Sequence, residues 1–230
     1  MRVQMAFRVL AAAAAFLVAV LVAAPVMAAD KPVTIVALGD SLTAGLGLKA
    51  NEAFPAKLQQ ALAAKGIATT LVNAGVSGDT TSGGLARLDW SVPAGTDAVI
   101  LELGANDALR GIDPAVARRA LDGILSGLAR RGIPVLLCGM LSPPNLGADY
   151  ARAFNAIYPD LAKTYSTLLY PFFLDGVVTD RKLNQGDGLH PTAAGVDVIV
   201  TRILPQVEEL IARVRAKGGA ASGAANQPDK

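Results

Sequence analysis

The chain has 230 residues, 21 of them Lys or Arg and 19 Asp or Glu, for a formal net charge of +2. The cations are scattered rather than striped along one face of any expected element, which argues against nucleic acid as the main partner. One Cys and one His leave no internal disulfide and too few ligands for a zinc site, so no metal or cofactor is expected.

Met1-Arg2 and Arg8 precede an apolar run from Val9 to Ala24, with small residues around Ala28 behind it. This is the three-part layout of a secretory signal peptide over residues 1–28, and it implies an exported chain, periplasmic or secreted. Pro25 stops the run short of the roughly 20 residues a membrane span needs, so no span is expected in the mature chain. An uncleaved anchor is the alternative.

Five apolar, β-branched-rich runs follow: Val33 to Leu38, Thr69 to Val72, Ala98 to Leu103, Pro134 to Gly139 and Thr167 to Tyr170. Between the first two, Leu58 and Leu62 repeat at helical spacing ahead of Gly66, a residue suited to the left-handed position after a helix. Asp113-Pro114 predicts an N-cap with proline at the first helical position, opening a helix that runs to Gly132. A last helix is expected from about Thr192 to Ala216.

Strands that are apolar throughout are buried on both faces, and their alternation with helices makes them parallel. The expected architecture is a three-layer α/β/α domain over residues 29–216 with a five-stranded parallel sheet. Residues 217–230 hold Ala, Gly, Ser, Asn and Gln with almost no bulky apolar group, and read as a disordered tail.

In open α/β sheets, ligands bind at the carboxyl ends of the strands. The first run is followed by Gly39-Asp40-Ser41-Leu42, the second by Asn73-Ala74-Gly75 and the third by Gly104-Ala105-Asn106-Asp107. These offer a hydroxyl, a glycine N–H and a side-chain amide. Serine is a weak nucleophile until a base takes its proton, and the sole histidine is His190 in Asp187-Gly188-Leu189-His190-Pro191. An Asp three residues before a His can curl back onto one ring nitrogen and leave the other to face the serine.

Singly, each feature is commonplace: a serine after a strand is usually an N-cap and a glycine usually a turn. Together they fall where a parallel sheet gathers its loops. A relaxed dinucleotide pattern at Gly45 to Ala50 begins too far past the first strand and lacks its acidic partner. The elbow G-x-S-x-G and the phosphate loop G-x-x-x-x-G-K-[ST] are absent.

The blocks Ala37-Leu38-Gly39-Asp40-Ser41-Leu42-Thr43-Ala44-Gly45, Asn73 to Thr81, Leu101 to Asp107 and Asp187 to Pro191 resemble the SGNH or GDSL hydrolases, with Ser41, Gly75, Asn106 and His190 in order. The likeness is nearest to the bacterial thioesterase I, lysophospholipase and arylesterase group and runs from about Val33 to the last helix. It implies a flavodoxin-like sheet of order 2-1-3-4-5, a triad of Ser41, His190 and Asp187, and an oxyanion hole from the N–H groups of Ser41 and Gly75 with the Asn106 amide. The chain departs from the group at Leu46, where an aromatic is frequent, and at Ala105, where a second glycine is.

The expected activity is cofactor-free hydrolysis of a small acyl ester or thioester through an acyl-enzyme on Ser41. Leu109, Ile112 and Leu146 are candidates for the acyl groove because they lie in loops near strand ends. The alternatives are a carbohydrate-directed acetylesterase and, less in keeping with the intact constellation, a non-catalytic binding domain.

Overall fold

The computed structural model describes residues 31–225, with side chains as far as residue 218. The export segment expected at residues 1–28 therefore lies outside the described residues. Five strands form one parallel sheet: β1 (Val33–Gly39), β2 (Thr69–Gly75), β3 (Ala98–Glu102), β4 (Val135–Cys138) and β5 (Leu168–Tyr170), in the order β2-β1-β3-β4-β5. The order reverses beside β1, so loops leaving β1 and β3 open on a shared crevice.

The connections are helical. They comprise α1 (Ser41–Ala44), α2 (Phe54–Ala64), α3 (Thr81–Ala86), α4 (Leu88–Ser91), α5 (Ala105–Leu109), α6 (Pro114–Arg130), α7 (Ala148–Asn155), α8 (Ile157–Tyr165) and α9 (Ala193–Ala225). Asp113 caps α6, accepting from the Ala115 N–H at 2.9 Å with Pro114 at the first helical position, and Gly66 and Gly132 take the left-handed conformation past α2 and α6. These ends follow the sequence reading. α7 and α8 follow one another with only Ala156 between, and they bury Phe154 and Tyr158 against α6 and the sheet.

β1, β3 and β4 are buried on both faces, and each fully buried Leu, Ile or Val contributes roughly 1.5–3 kcal/mol of transfer free energy. Cys138 on β4 is wholly buried, and burial pushes its thiol well above the ordinary value. β2 departs from the expectation of strands buried throughout. It pairs only with β1, so it is an edge strand, and Val72 is exposed. Its apolar run reflects the β1 contact and the cover from α2 rather than two buried faces.

α9 also differs from expectation. The helix continues to Ala225, so residues 217–225 of the expected tail are helical. The core contacts end near Ile211 and Val214, and beyond them the helix runs through alanines, the strongest helix formers, and also through Gly218, Gly219 and Gly223, which are weak ones. Among the described residues no helix is long and apolar enough to cross a membrane.

Candidate active site

β1 ends at Gly39, and the chain turns at once into the single turn of α1. Asp40 caps that turn, its Oδ1 accepting the Leu42 N–H at 2.9 Å, which makes Ser41 the first helical residue. Gly45 closes it with φ +82° and donates to the Ser41 carbonyl at 3.0 Å. Ser41 is therefore fixed from both sides and is 7% exposed.

Ser41 Oγ lies 2.9 Å from His190 Nε2, and His190 Nδ1 lies 2.6 Å from Asp187 Oδ2. Asp187 Oδ1 also accepts the N–H groups of Leu189 and His190 at 2.9 and 3.0 Å. The carboxylate so both caps the turn and holds the ring. These bonds, that from the His190 N–H foremost, then Leu189 and the ring, pull the Asp187 carboxyl down to about 2. With Nδ1–H donated to Asp187, Nε2 is the nitrogen free to accept the serine proton. The segment is anchored from outside the turn: Gln185 N–H donates to the His190 carbonyl at 2.7 Å, and its side-chain amide donates to Leu46 and Pro191 carbonyls.

Asn106 stands in the first turn of α5, entered through Gly104 at φ +120°. A Cβ at Gly104 would lie 2.1 Å from Tyr158 Oη, which itself donates to the Leu103 carbonyl. The Asn106 amide nitrogen donates to Asp40 Oδ2 at 3.1 Å and to the Asp79 carbonyl at 2.9 Å. Under this layer lie two wholly buried acids, Asp40 and Glu102. Glu102 Oε2 accepts from Thr43 Oγ1 at 2.7 Å and meets the Asp40 N–H at 3.4 Å. Burial first raises both: Asp40 to about 6, against bonds from Leu42 and Asn106 that lower it, and Glu102 well above its ordinary range, with the Asp40 charge adding to it.

Gly75 is a correction. Its N–H donates to Asn73 Oδ1 at 3.0 Å, and a Cβ there would lie 2.3 Å from the Ala44 nitrogen. The residue is a contact for α1 rather than a donor to the site. The sequence reading ended the second strand at Val72, whereas β2 runs on to Gly75, in register with Gly39. The loop that reaches the site starts three residues later, with Gly78 at φ +82° beside Asp79.

A cavity of about 480 Å³ opens on Ser41, Asn106 and His190, walled by Leu109, Met140, Leu141, Phe172, Leu174, Val178 and Leu189. Leu109 lines it as expected; Ile112 and Leu146 do not. Ile112 is tied behind α5, its N–H on the Asp107 carbonyl and its carbonyl on Tyr150 Oη, and Leu146 sits in a short 3₁₀ turn near Gly111. The missed walls follow β4 and β5. The loops that succeed those two strands carry the same signal as the loops after the first three, since a parallel sheet gathers its site at the carboxyl ends of its strands. Among the described residues no group of three or more His, Cys, Asp or Glu side chains is gathered to hold a metal.

A family model described as GDSL-like Lipase/Acylhydrolase family matches residues 37–198. The chain is 39% identical over 179 residues to Esterase TesA of Pseudomonas aeruginosa, covering 77% of this chain and 89% of that one. It is 38% identical over 197 residues to Thioesterase 1/protease 1/lysophospholipase L1 of Escherichia coli K12, covering 85% and 92%. Among solved structures it is similar to AlinE4, an SGNH-hydrolase family esterase, at TM-score 0.67 and 49% identity, covering 78% of this chain and 96% of that one. The match spans all the segments that build the site, and the chain belongs to the GDSL-like lipase/acylhydrolase family, a hydrolase of ester bonds with the SGNH fold.

Proposed function

We propose that Ser41 is the nucleophile, His190 its general base and Asp187 the residue that orients the imidazole. The observation that carries this reading is the relay from Ser41 Oγ to His190 Nε2 at 2.9 Å and from His190 Nδ1 to Asp187 at 2.6 Å. Ser41 attacks the acyl carbonyl as His190 takes its proton, and His190 returns that proton to the leaving group. Water then hydrolyses the acyl-enzyme by the same route reversed.

The Ser41 N–H, the Asn106 amide and the Gly78 N–H form the oxyanion hole in this reading. Gly78 replaces Gly75 because its N–H has no acceptor among the described residues and its neighbour Asp79 touches Asn106. Both Asn106 amide hydrogens are engaged in the free chain, and the one aimed at the Asp79 carbonyl is shared with the oxyanion in a three-centre bond. A full negative charge is the stronger acceptor.

The substrate is a small acyl ester or thioester whose acyl chain enters the aliphatic and aromatic cavity. The name of the Escherichia coli relative, which joins thioesterase and lysophospholipase, supports both leaving groups. A carbohydrate-directed acetylesterase is the less favoured reading, since an apolar-walled cavity of about 480 Å³ exceeds what an acetyl group fills. Export rests on the layout of residues 1–28.

The experiment is fluorophosphonate labelling of wild type and Ser41→Ala, with p-nitrophenyl esters from acetyl to octanoyl. Labelling and hydrolysis should vanish in Ser41→Ala while the fold persists. Labelling that moves to another serine, Ser77 being the obvious decoy, would overturn the assignment. Each methylene seated in the cavity is worth up to about 0.8 kcal/mol, roughly fourfold in kcat/KM. A strict acetyl preference would favour the carbohydrate reading instead.

A further inference from the structure

Arg87, between α3 and α4, touches neither Ser41 nor His190, yet it is the one buried cation among the described residues. Its Nε donates to Asp79 Oδ2 at 2.6 Å, Nη1 to the Ala74 carbonyl at 2.7 Å and Ser91 Oγ at 3.0 Å, and Nη2 to the Gly39 carbonyl at 2.7 Å. One planar fork thus joins three separate pieces of chain: the end of β1 just before Asp40-Ser41, the end of β2, and the loop that carries Gly78 and Asp79. Trp90 covers the guanidinium with its ring centroid 6.0 Å from Cζ.

We propose that Arg87 is a positioning residue of the oxyanion hole, holding the Gly78-Asp79 loop against the nucleophile turn so that the Asp79 carbonyl keeps the Asn106 amide aimed at the site. Asp79 is the hinge of the arrangement. Its carboxylate is gripped by Arg87 and its carbonyl accepts from Asn106, while a second cation, Arg110, donates to the neighbouring Gly78 carbonyl at 2.8 Å. Donors fixed before reaction are what make such a site effective, and displacement by about an ångström is enough to lose much of the gain. Lysine cannot take the place of the guanidinium, because a single ammonium does not span the four acceptors that the fork reaches.

The inference rests on the oxyanion reading given above, and its test separates the two. Arg87→Lys and Asp79→Asn are each made alone and with Asn106→Ala, and kcat, KM and the pH profile of kcat/KM are measured. Arg87→Lys should lower kcat roughly tenfold or more, a share of the about 10²–10³ that one oxyanion donor supplies. KM should stay within about threefold, and the pH midpoint should not move, since neither residue touches the His190–Asp187 pair. In the Asn106→Ala background the loss should shrink to under about threefold, because residues acting through one another are not additive. Should Arg87→Lys fail to fold, Asp79→Asn, which keeps the side-chain volume and removes the charge, carries the same comparison. A folded variant with kcat within about twofold of wild type, or losses that simply multiply in the double variant, would sink the proposal. Asn106→Ala without any loss of kcat would sink the oxyanion reading itself, and this inference with it.

Discussion

The two halves of the site are built in opposite ways. The His190–Asp187 half is a four-residue turn on the surface, with 45% of the Asp187 side chain exposed, and its bonds link neighbours in sequence. The Asp40–Glu102–Asn106–Arg87 half is buried apart from the half-buried Asn106, and it is tied across the fold by bonds between residues up to 66 positions apart. The first is a local device that can be altered without disturbing the core. The second shares its polar atoms with the fold, so chemistry and stability are coupled there.

The largest effect expected from breaking this contrast is on the local side. Asp187→Asn should lower kcat by about 10³–10⁴ through loss of the ring tautomer and orientation, with little change in thermal midpoint. A comparable fall in thermal midpoint would show that the turn is not independent of the core. Near-full activity would instead move the acid role to another carboxylate, Asp197 or Asp180 being the ones to test.

On the buried side, Asn106→Ala should cost about 10²–10³ in kcat with KM nearly unmoved. It should also cost stability, roughly 1–3 kcal/mol by chemical denaturation, because the buried Asp40 Oδ2 and the Asp79 carbonyl lose their donor. A kinetic loss with no stability loss would mean that the two halves are alike after all.

The same contrast explains what the sequence could tell. The hydrogen-bonded arrangement of Ser41, His190 and Asp187 is legible because Asp187 and His190 lie three residues apart and His190 is the sole imidazole. The sheet order came with the family resemblance, and the strands from apolar runs. The buried network was not legible: nothing in the spacing of Arg87, Asp79 and Gly39 announces that one guanidinium joins them, since such contacts depend on how strands register. The same dependence on register hides the end of β2, which carries on through polar Asn73, where the apolar pattern stops. Of the three candidates for an acyl groove, Leu109 lines the cavity and Ile112 and Leu146 do not.

The smallest effect is on pH. The Asp187 carboxyl falls from 3.8 to about 2 on folding, so the folded protein binds fewer protons between those values; stability from this group is full above 3.8 and is lost as pH drops toward 2. Asp40 has the opposite sign. Its rise from 3.8 to about 6 means that stability declines as pH climbs through that window and is level above it. Denaturation from pH 2 to 7 should show both slopes, and Asp187→Asn should remove only the acid one. Loss of the upper slope in that variant would show that the two carboxylates titrate together.

The burial of Cys138 bears on how the enzyme is assayed. The chain has a single thiol, wholly enclosed in β4 and held in its neutral form by that enclosure. Disulfide reagents react with accessible thiolate. A chromogenic disulfide in the cuvette will therefore leave the native protein alone and report only the thiol released from a thioester substrate. The same reagent will begin to consume enzyme when the sheet opens, so one colour reaction reads turnover under native conditions and unfolding under denaturing ones.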